Sequence, residues 1–106
     1  MIYEIRVYEA HDGKANAMKA RFKTEVVKRF SGHGIDLLGV FESDSDASRL
    51  TYLTRFKSEE DRTKAWAAFG ADPEWKNIQK TSEADGKIVE KVESTFMDPT
   101  DFSPLK

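Results

Sequence analysis

Glu4, Arg6 and Tyr8 stand at alternate positions in the opening stretch MIYEIRVYE. Side chains alternate across a β-strand, so this spacing puts an acid, a guanidinium and a phenol on one face. An arginine so placed can hold a carboxylate or enolate, and a phenol beside it can donate a hydrogen bond or carry a proton. Tyr52 and Glu93, on later strands, complete the set of candidate ligand-binding residues. The same residues have a plainer use. A buried arginine without an acid is costly, so Arg6 pairs with Glu4 or Glu93 whether or not a ligand exists.

Other chemistry is sparse. His11 and His33 are the only histidines, and both fall in predicted loops. His33, flanked by glycines, could reach the mouth of a cavity as a base or haem ligand, or simply cap a helix end. There is no cysteine, which excludes disulfides, thiol catalysis and thiolate metal sites. No structural metal and no tightly bound cofactor are expected. Asp44-Ser45-Asp46 lacks the spacing of a calcium loop. No glycine-rich phosphate loop, nucleophile elbow or zinc motif is present.

Seventeen basic residues against 19 acids leave a net charge of −2, which gives no global field for nucleic acid or an anionic membrane. A basic face on the first helix (Lys14, Lys19, Arg21, Lys23, Lys28, Arg29) reads as a solvated surface. No apolar run approaches the roughly 20 residues that span a bilayer, and the alternating start does not resemble a signal peptide. A cytoplasmic protein is expected.

The elements that position the candidates follow from periodicity. A strand over the first nine residues places Tyr3, Ile5 and Val7 on one face and Glu4, Arg6 and Tyr8 on the other. Ala15, Met18, Phe22, Val26 and Phe30 form one stripe of a helix over Lys14 to Phe30, stopped by Ser31-Gly32-His33-Gly34. Ile35 to Ser43 and Arg49 to Phe56 read as strands flanking a polar hairpin. Ile35, Leu37 and Phe41 are expected on one face of the earlier of these strands, opposite Leu38 and Val40. Ser58 caps a second helix carrying Trp66 and Phe69, and Asp72-Pro73 restarts it with Trp75 and Ile78. Both tryptophans read as core anchors. Ile88 to Met97 is the last strand. The order β-α-β-β-α-β describes an α+β, ferredoxin-like plait in one domain over residues 1–106.

In such a plait the helices cover one face of a four-stranded antiparallel sheet. Tyr3, Ile5 and Val7 are expected beneath the helices, and Glu4, Arg6 and Tyr8 on the bare face. The middle strands are apolar on both sides, and strands of that kind are buried on both sides. A second copy of the chain is therefore expected to cover the bare face, making a homodimer that encloses the polar residues.

Several segments occur together in an order that resembles the NIPSNAP family of dimeric α+β barrels. They are Met1-Ile2-Tyr3-Glu4-Ile5-Arg6-x-Tyr8, Leu38-Gly39-x-Phe41 with Glu42-Ser43, and Ala71-Asp72-Pro73-Glu74-Trp75. The ending Glu93-Ser94-x-Phe96-Met97-x-Pro99, followed by Phe102-Ser103-Pro104, completes the set. The resemblance covers nearly the whole chain and implies a homodimer whose two sheets face each other. Members commonly carry a histidine and a tryptophan on the third strand, where Tyr52 and Thr54 stand here. The resemblance implies no settled reaction. Other α+β barrels include cofactor-independent monooxygenases, isomerases and haem enzymes, by fold analogy alone.

Two functions follow. A cofactor-free binder or enzyme would act on a small organic molecule through Glu4, Arg6, Tyr8 and Tyr52, and needs those atoms to converge on open space. A non-catalytic dimeric protein-interaction module needs them to close on one another.

Overall fold

The computed structural model describes residues 1–106. Strands β1 (Ile2–Ala10), β2 (Asp36–Glu42), β3 (Arg49–Phe56) and β4 (Val89–Met97) form one antiparallel sheet in the order β2-β3-β1-β4. The first strand is thus central, paired to β3 on one side and β4 on the other. Helix α1 runs as Ala15–Arg21, a π-helical turn Phe22–Val26, and Val27–Gly32. Helices α2 (Glu59–Ala71) and α3 (Pro73–Ser82) follow β3, and all three lie on one side of the sheet. No helix is long and apolar enough to cross a membrane.

The π-turn answers a problem posed by the sequence. Met18, Phe22, Val26 and Phe30 are spaced by four, and each such step drifts about 40° around an α-helix of 3.6 residues per turn. The wider π-turn takes up part of that drift, and all four side chains are buried. Phe30 is fully buried where Phe22, Tyr52, Trp66 and Phe69 meet, with ring centroids 5.2–5.9 Å away. Burying a side chain of that size stabilises by about 1.5–3 kcal/mol.

Helix α3 hangs on α1 by polar latches. Arg21 reaches Glu83 just beyond α3 at 2.8 Å, and Arg29 reaches Glu74 at 3.1 Å. His33 meets Asp72 at 2.8 Å. Asp72 also caps α3, accepting from the backbone N–H groups of Glu74 and Trp75. The basic face of α1 is therefore partly an inter-helix seam rather than a wholly solvated surface.

The expected faces of β1 are reversed. Glu4 is 2% exposed and its same-face partners across the sheet, Thr54 and Tyr52, are fully buried beneath the helices. Tyr3, Ile5 and Val7 point to the outer face instead, opposite Arg55, Leu53 and Thr51 on β3 and Met97, Thr95 and Glu93 on β4. The even row lies inward because it pairs with the apolar rows Leu50-Tyr52-Phe56 and Val92-Phe96, while Trp66 from α2 supplies a donor for the acid.

Strand β2 departs from simple alternation too. A register shift between Leu37 and Gly39 puts Leu37 and Val40 on the helix side, opposite Thr54 and Tyr52, and Gly39 and Phe41 on the outer side. A bulge of this kind inserts one residue and changes parity. The outer face is apolar at its centre. Phe41, 59% exposed, lays its ring over Gly39, where an added Cβ would come within 2.7 Å of it. The C-terminal segment from Pro99 to Leu105 gathers near Tyr3, Leu53 and Met97, and Tyr3 is buried.

Candidate functional site

The centre of β1 delivers its polar row into a cleft between sheet and helices. The Glu4 carboxylate accepts from Trp66 Nε1 at 2.8 Å, Ser94 Oγ at 2.5 Å and Arg6 Nη1 at 3.2 Å. Thr54 Oγ1 donates to the Glu4 carbonyl at 3.0 Å, fixing the strand beneath it. The guanidinium lies 4.3 Å from the Trp66 ring centre and 5.9 Å from that of Tyr8. Tyr52 Oη donates to Tyr8 Oη at 2.8 Å. Four of the five sequence candidates thus form one connected group.

The fifth does not. Glu93 pairs across the sheet with Val7, so it projects from the outer face. There it contacts Lys91 at 3.1 Å. The expected Glu4–Arg6–Glu93 cluster is corrected by the same reversal of faces. Its place is taken by Ser94, the next residue, whose hydroxyl reaches Glu4. Ser94 stands between Val92 and Phe96 in the inward row, and a small hydroxyl in that apolar row was the available signal.

Arg6 and Tyr8 line a cavity of about 400 Å³ with Phe22, Trp66, Phe69 and Trp75. The π-turn contributes Phe22 and Val26 to its wall, and Val89 and Val92 of β4 bound it on the exposed edge of the sheet. Both tryptophans are core residues and cavity wall at once. Arg21 and Gln79 also line it. Arg21 stands 5.3 Å from the Trp75 ring centre, with Nη1 donating to Ser82 Oγ at 3.1 Å and Glu83 at 2.8 Å. Neither residue was singled out as a site residue from sequence, since Arg21 read as one more cation on a wet helix. A hollow of about 610 Å³ at the other end of the helices is larger, but Asp36, Arg55, Lys57, Asp61 and Lys64 line it and it lacks an aromatic enclosure. The smaller cavity is the better ligand site on chemical grounds.

The electrostatics separate binding groups from proton carriers. Burial pushes the Tyr52 hydroxyl well above the ordinary phenol range, with Tyr8 adding to the shift and Arg6 opposing it. Tyr52 is therefore a fixed donor and not a base. Burial works against the Arg6 charge, but Tyr52, Tyr8 and Glu4 outweigh it and hold the group above its usual pKa. Arg6 remains a permanent cation. Its Nε is buried without a hydrogen-bond partner. His33 is 24% exposed at its side chain and committed to Asp72, while His11 lies in the loop after β1. Neither is among the residues lining this cavity.

The NIPSNAP family model matches residues 3–104. A NIPSNAP family protein of unknown function from Agrobacterium tumefaciens is 30% identical, with a TM-score of 0.83, the match covering 100% of this chain and 94% of that one. A second NIPSNAP family protein from the same organism is 24% identical, with a TM-score of 0.85 and coverage of 99% and 98%. A provisionally assigned antibiotic biosynthesis monooxygenase from Nitrosomonas europaea, 16% identical, shares the fold with a TM-score of 0.65 and coverage of 93% and 98%. Comparison with curated proteins finds no significant match. The motif resemblance, the ferredoxin-like α+β sheet and the match over nearly the full length agree, and the chain belongs to the NIPSNAP family.

Proposed function

We propose that the chain acts as a single domain that binds, and is suited to convert, a small organic molecule in the cleft between helices and sheet, without a tightly bound cofactor. The observation that carries this reading is Arg6. Its Nη1 bonds to Glu4, and its side chain, 21% exposed, borders a cavity of about 400 Å³ walled by aromatic rings. A ligand acceptor would meet the guanidinium at the Nη2 end, which has no partner and, unlike the buried Nε, keeps solvent contact. The polar atoms bond to one another in pairs, Arg6 to Glu4 and Tyr52 to Tyr8, yet Arg6 and Tyr8 also border open space, which favours a small-molecule role over a pure interaction module.

The outer face supports a homodimer. Ile5, Val7, Leu53 and Phe41 form its apolar centre. Its charges lie in local pairs towards the ends of the strands, Arg55 with Asp36 at 2.7 Å, Arg49 with Glu9 at 3.2 Å and Lys91 with Glu93 at 3.1 Å. An apolar centre with a neutralised polar rim is the anatomy of a protein interface, and a self-neutral face suits an isologous pair.

The test of the cleft uses Gly70, which lines it and where an added Cβ meets nothing within 4 Å. Gly70→Leu is expected to fill the cleft while leaving the helix intact. Thermal shift is measured across small acids, alcohols and ketones for both proteins. A compound that stabilises the wild type and not Gly70→Leu supports the reading. Compounds that stabilise both equally bind elsewhere and would remove its basis.

A further inference from the structure

Resting on the proposed cleft, we infer that its ligand is a small aromatic monocarboxylate, with the carboxylate on Arg6 and the ring among Phe22, Trp66 and Trp75. Three observations carry this. The charged residues lining the cavity are Arg6 and Arg21, and no carboxylate lines it. Glu4 and Glu83 hold these arginines through hydrogen bonds, yet neither acid borders the space. The cavity therefore presents positive charge inside a protein whose net charge is −2, which selects anions at short range.

The number of charges follows from the donors. Arg21 Nη1 is already shared between Ser82 and Glu83, and Arg21 is pinned at the wall by that pair. Arg6 gives one N–H of Nη1 to Glu4, while Nη2 has no partner and is not among the buried atoms. A guanidinium with donors to spare matches the planar fork of one carboxylate. Tyr8, itself accepting from Tyr52, also lines the space and has its own O–H to donate. One available guanidinium argues for one anionic head, not two.

The body of the ligand is set by the walls. Phe22, Trp66, Phe69 and Trp75 offer ring faces and edges, and a volume of about 400 Å³ suits a molecule of one or two rings. A flexible aliphatic acid would leave those faces incompletely covered.

The experiment is calorimetric titration at neutral pH with matched pairs of identical shape, benzoate against benzamide and phenylacetate against phenylacetamide. The wild type is expected to bind at least one acid about tenfold or more tightly than its amide, as a charge-assisted contact implies. That preference should vanish in Arg6→Met, and in Glu4→Gln/Arg6→Met should the single variant fold poorly. Gly70→Leu should abolish binding of both partners of a pair. If amides bind as tightly as acids and Gly70→Leu blocks both, the head group is misassigned while the cleft stands. If no pair binds, or binding is indifferent to Gly70→Leu, the inference and the cleft both fall.

Discussion

Replacing Glu4 by glutamine tests the arrangement on which the cleft depends. The carboxylate is 2% exposed and takes hydrogen bonds from Trp66, Ser94 and Arg6. Glutamine keeps the volume. Its carbonyl can retain Trp66, but its amide then turns N–H groups towards Ser94 and Arg6. The guanidinium loses its counter-charge where its own side chain is only 21% exposed. Removing one partner of a buried pair costs about 3–5 kcal/mol, and the partial exposure of Arg6 lowers the expectation to roughly 2–3 kcal/mol. That is a large share of a domain's total stability, about 5–15 kcal/mol.

The assay is urea unfolding at fixed protein concentration, followed by circular dichroism and tryptophan fluorescence. Glu4→Gln, Arg6→Met and the double variant complete a thermodynamic cycle. The double variant should be more stable than the sum of the single losses predicts, because it removes the charge that Glu4→Gln leaves stranded. A Glu4→Gln protein within about 0.5 kcal/mol of wild type, with unchanged denaturant slope, would mean Arg6 needs no acid. The account of the site would then be wrong at its base.

Tyr52→Phe should cost about 1 kcal/mol, the usual worth of a hydrogen bond, since its fully buried hydroxyl donates to Tyr8; chemical unfolding measures it. Gly70→Leu should raise stability by up to about 1 kcal/mol through helix propensity even as it blocks the cleft, readable as a higher urea midpoint. The hydrogen bond from His33 lowers the Asp72 carboxyl below its usual range. A depressed folded pKa gives stability that is present above the unfolded value and lost as pH falls through the folded one. Asp72→Asn keeps a good cap but should flatten the decline of the urea midpoint below about pH 4. Leu53→Asp, on the outer face, should convert a dimer to a monomer in light scattering at micromolar concentration; an unchanged mass would place the interface elsewhere.

Strand and helix identities were legible because period two and period four are local properties of the chain. Arg49 to Phe56 coincides with β3 in full, and the stripe from Met18 to Phe30 is the buried face of α1. The side on which a strand buries is not local. Alternation states that Glu4, Arg6 and Tyr8 share a face, but which face is inward depends on Tyr52, Trp66 and Ser94, brought from 44 to 90 residues away in sequence. In β2 the bulge near Leu38 broke the parity that the pattern assumes. Arg21 was illegible for a related reason. A cation beside an apolar stripe faces water unless another helix covers it, and α3 does so only through the latches at Arg21, Arg29 and His33.

The reversal of faces changes what the site requires. Had the polar row lain on the bare sheet, enclosure of Arg6 would have depended on a second subunit, and a monomer would have no pocket. With the row turned inward, Trp66, Phe69 and Trp75 from the same chain enclose it, so cleft and interface become separate questions on opposite faces of one strand. Leu53→Asp should therefore leave ligand binding within a few-fold of wild type, and Gly70→Leu should leave the mass in solution unchanged. Strands β1, β3 and β4 present residues to both faces. A substitution on the outer side that weakened binding sharply would show the two faces coupled through the sheet, and titration on the Leu53→Asp protein decides it.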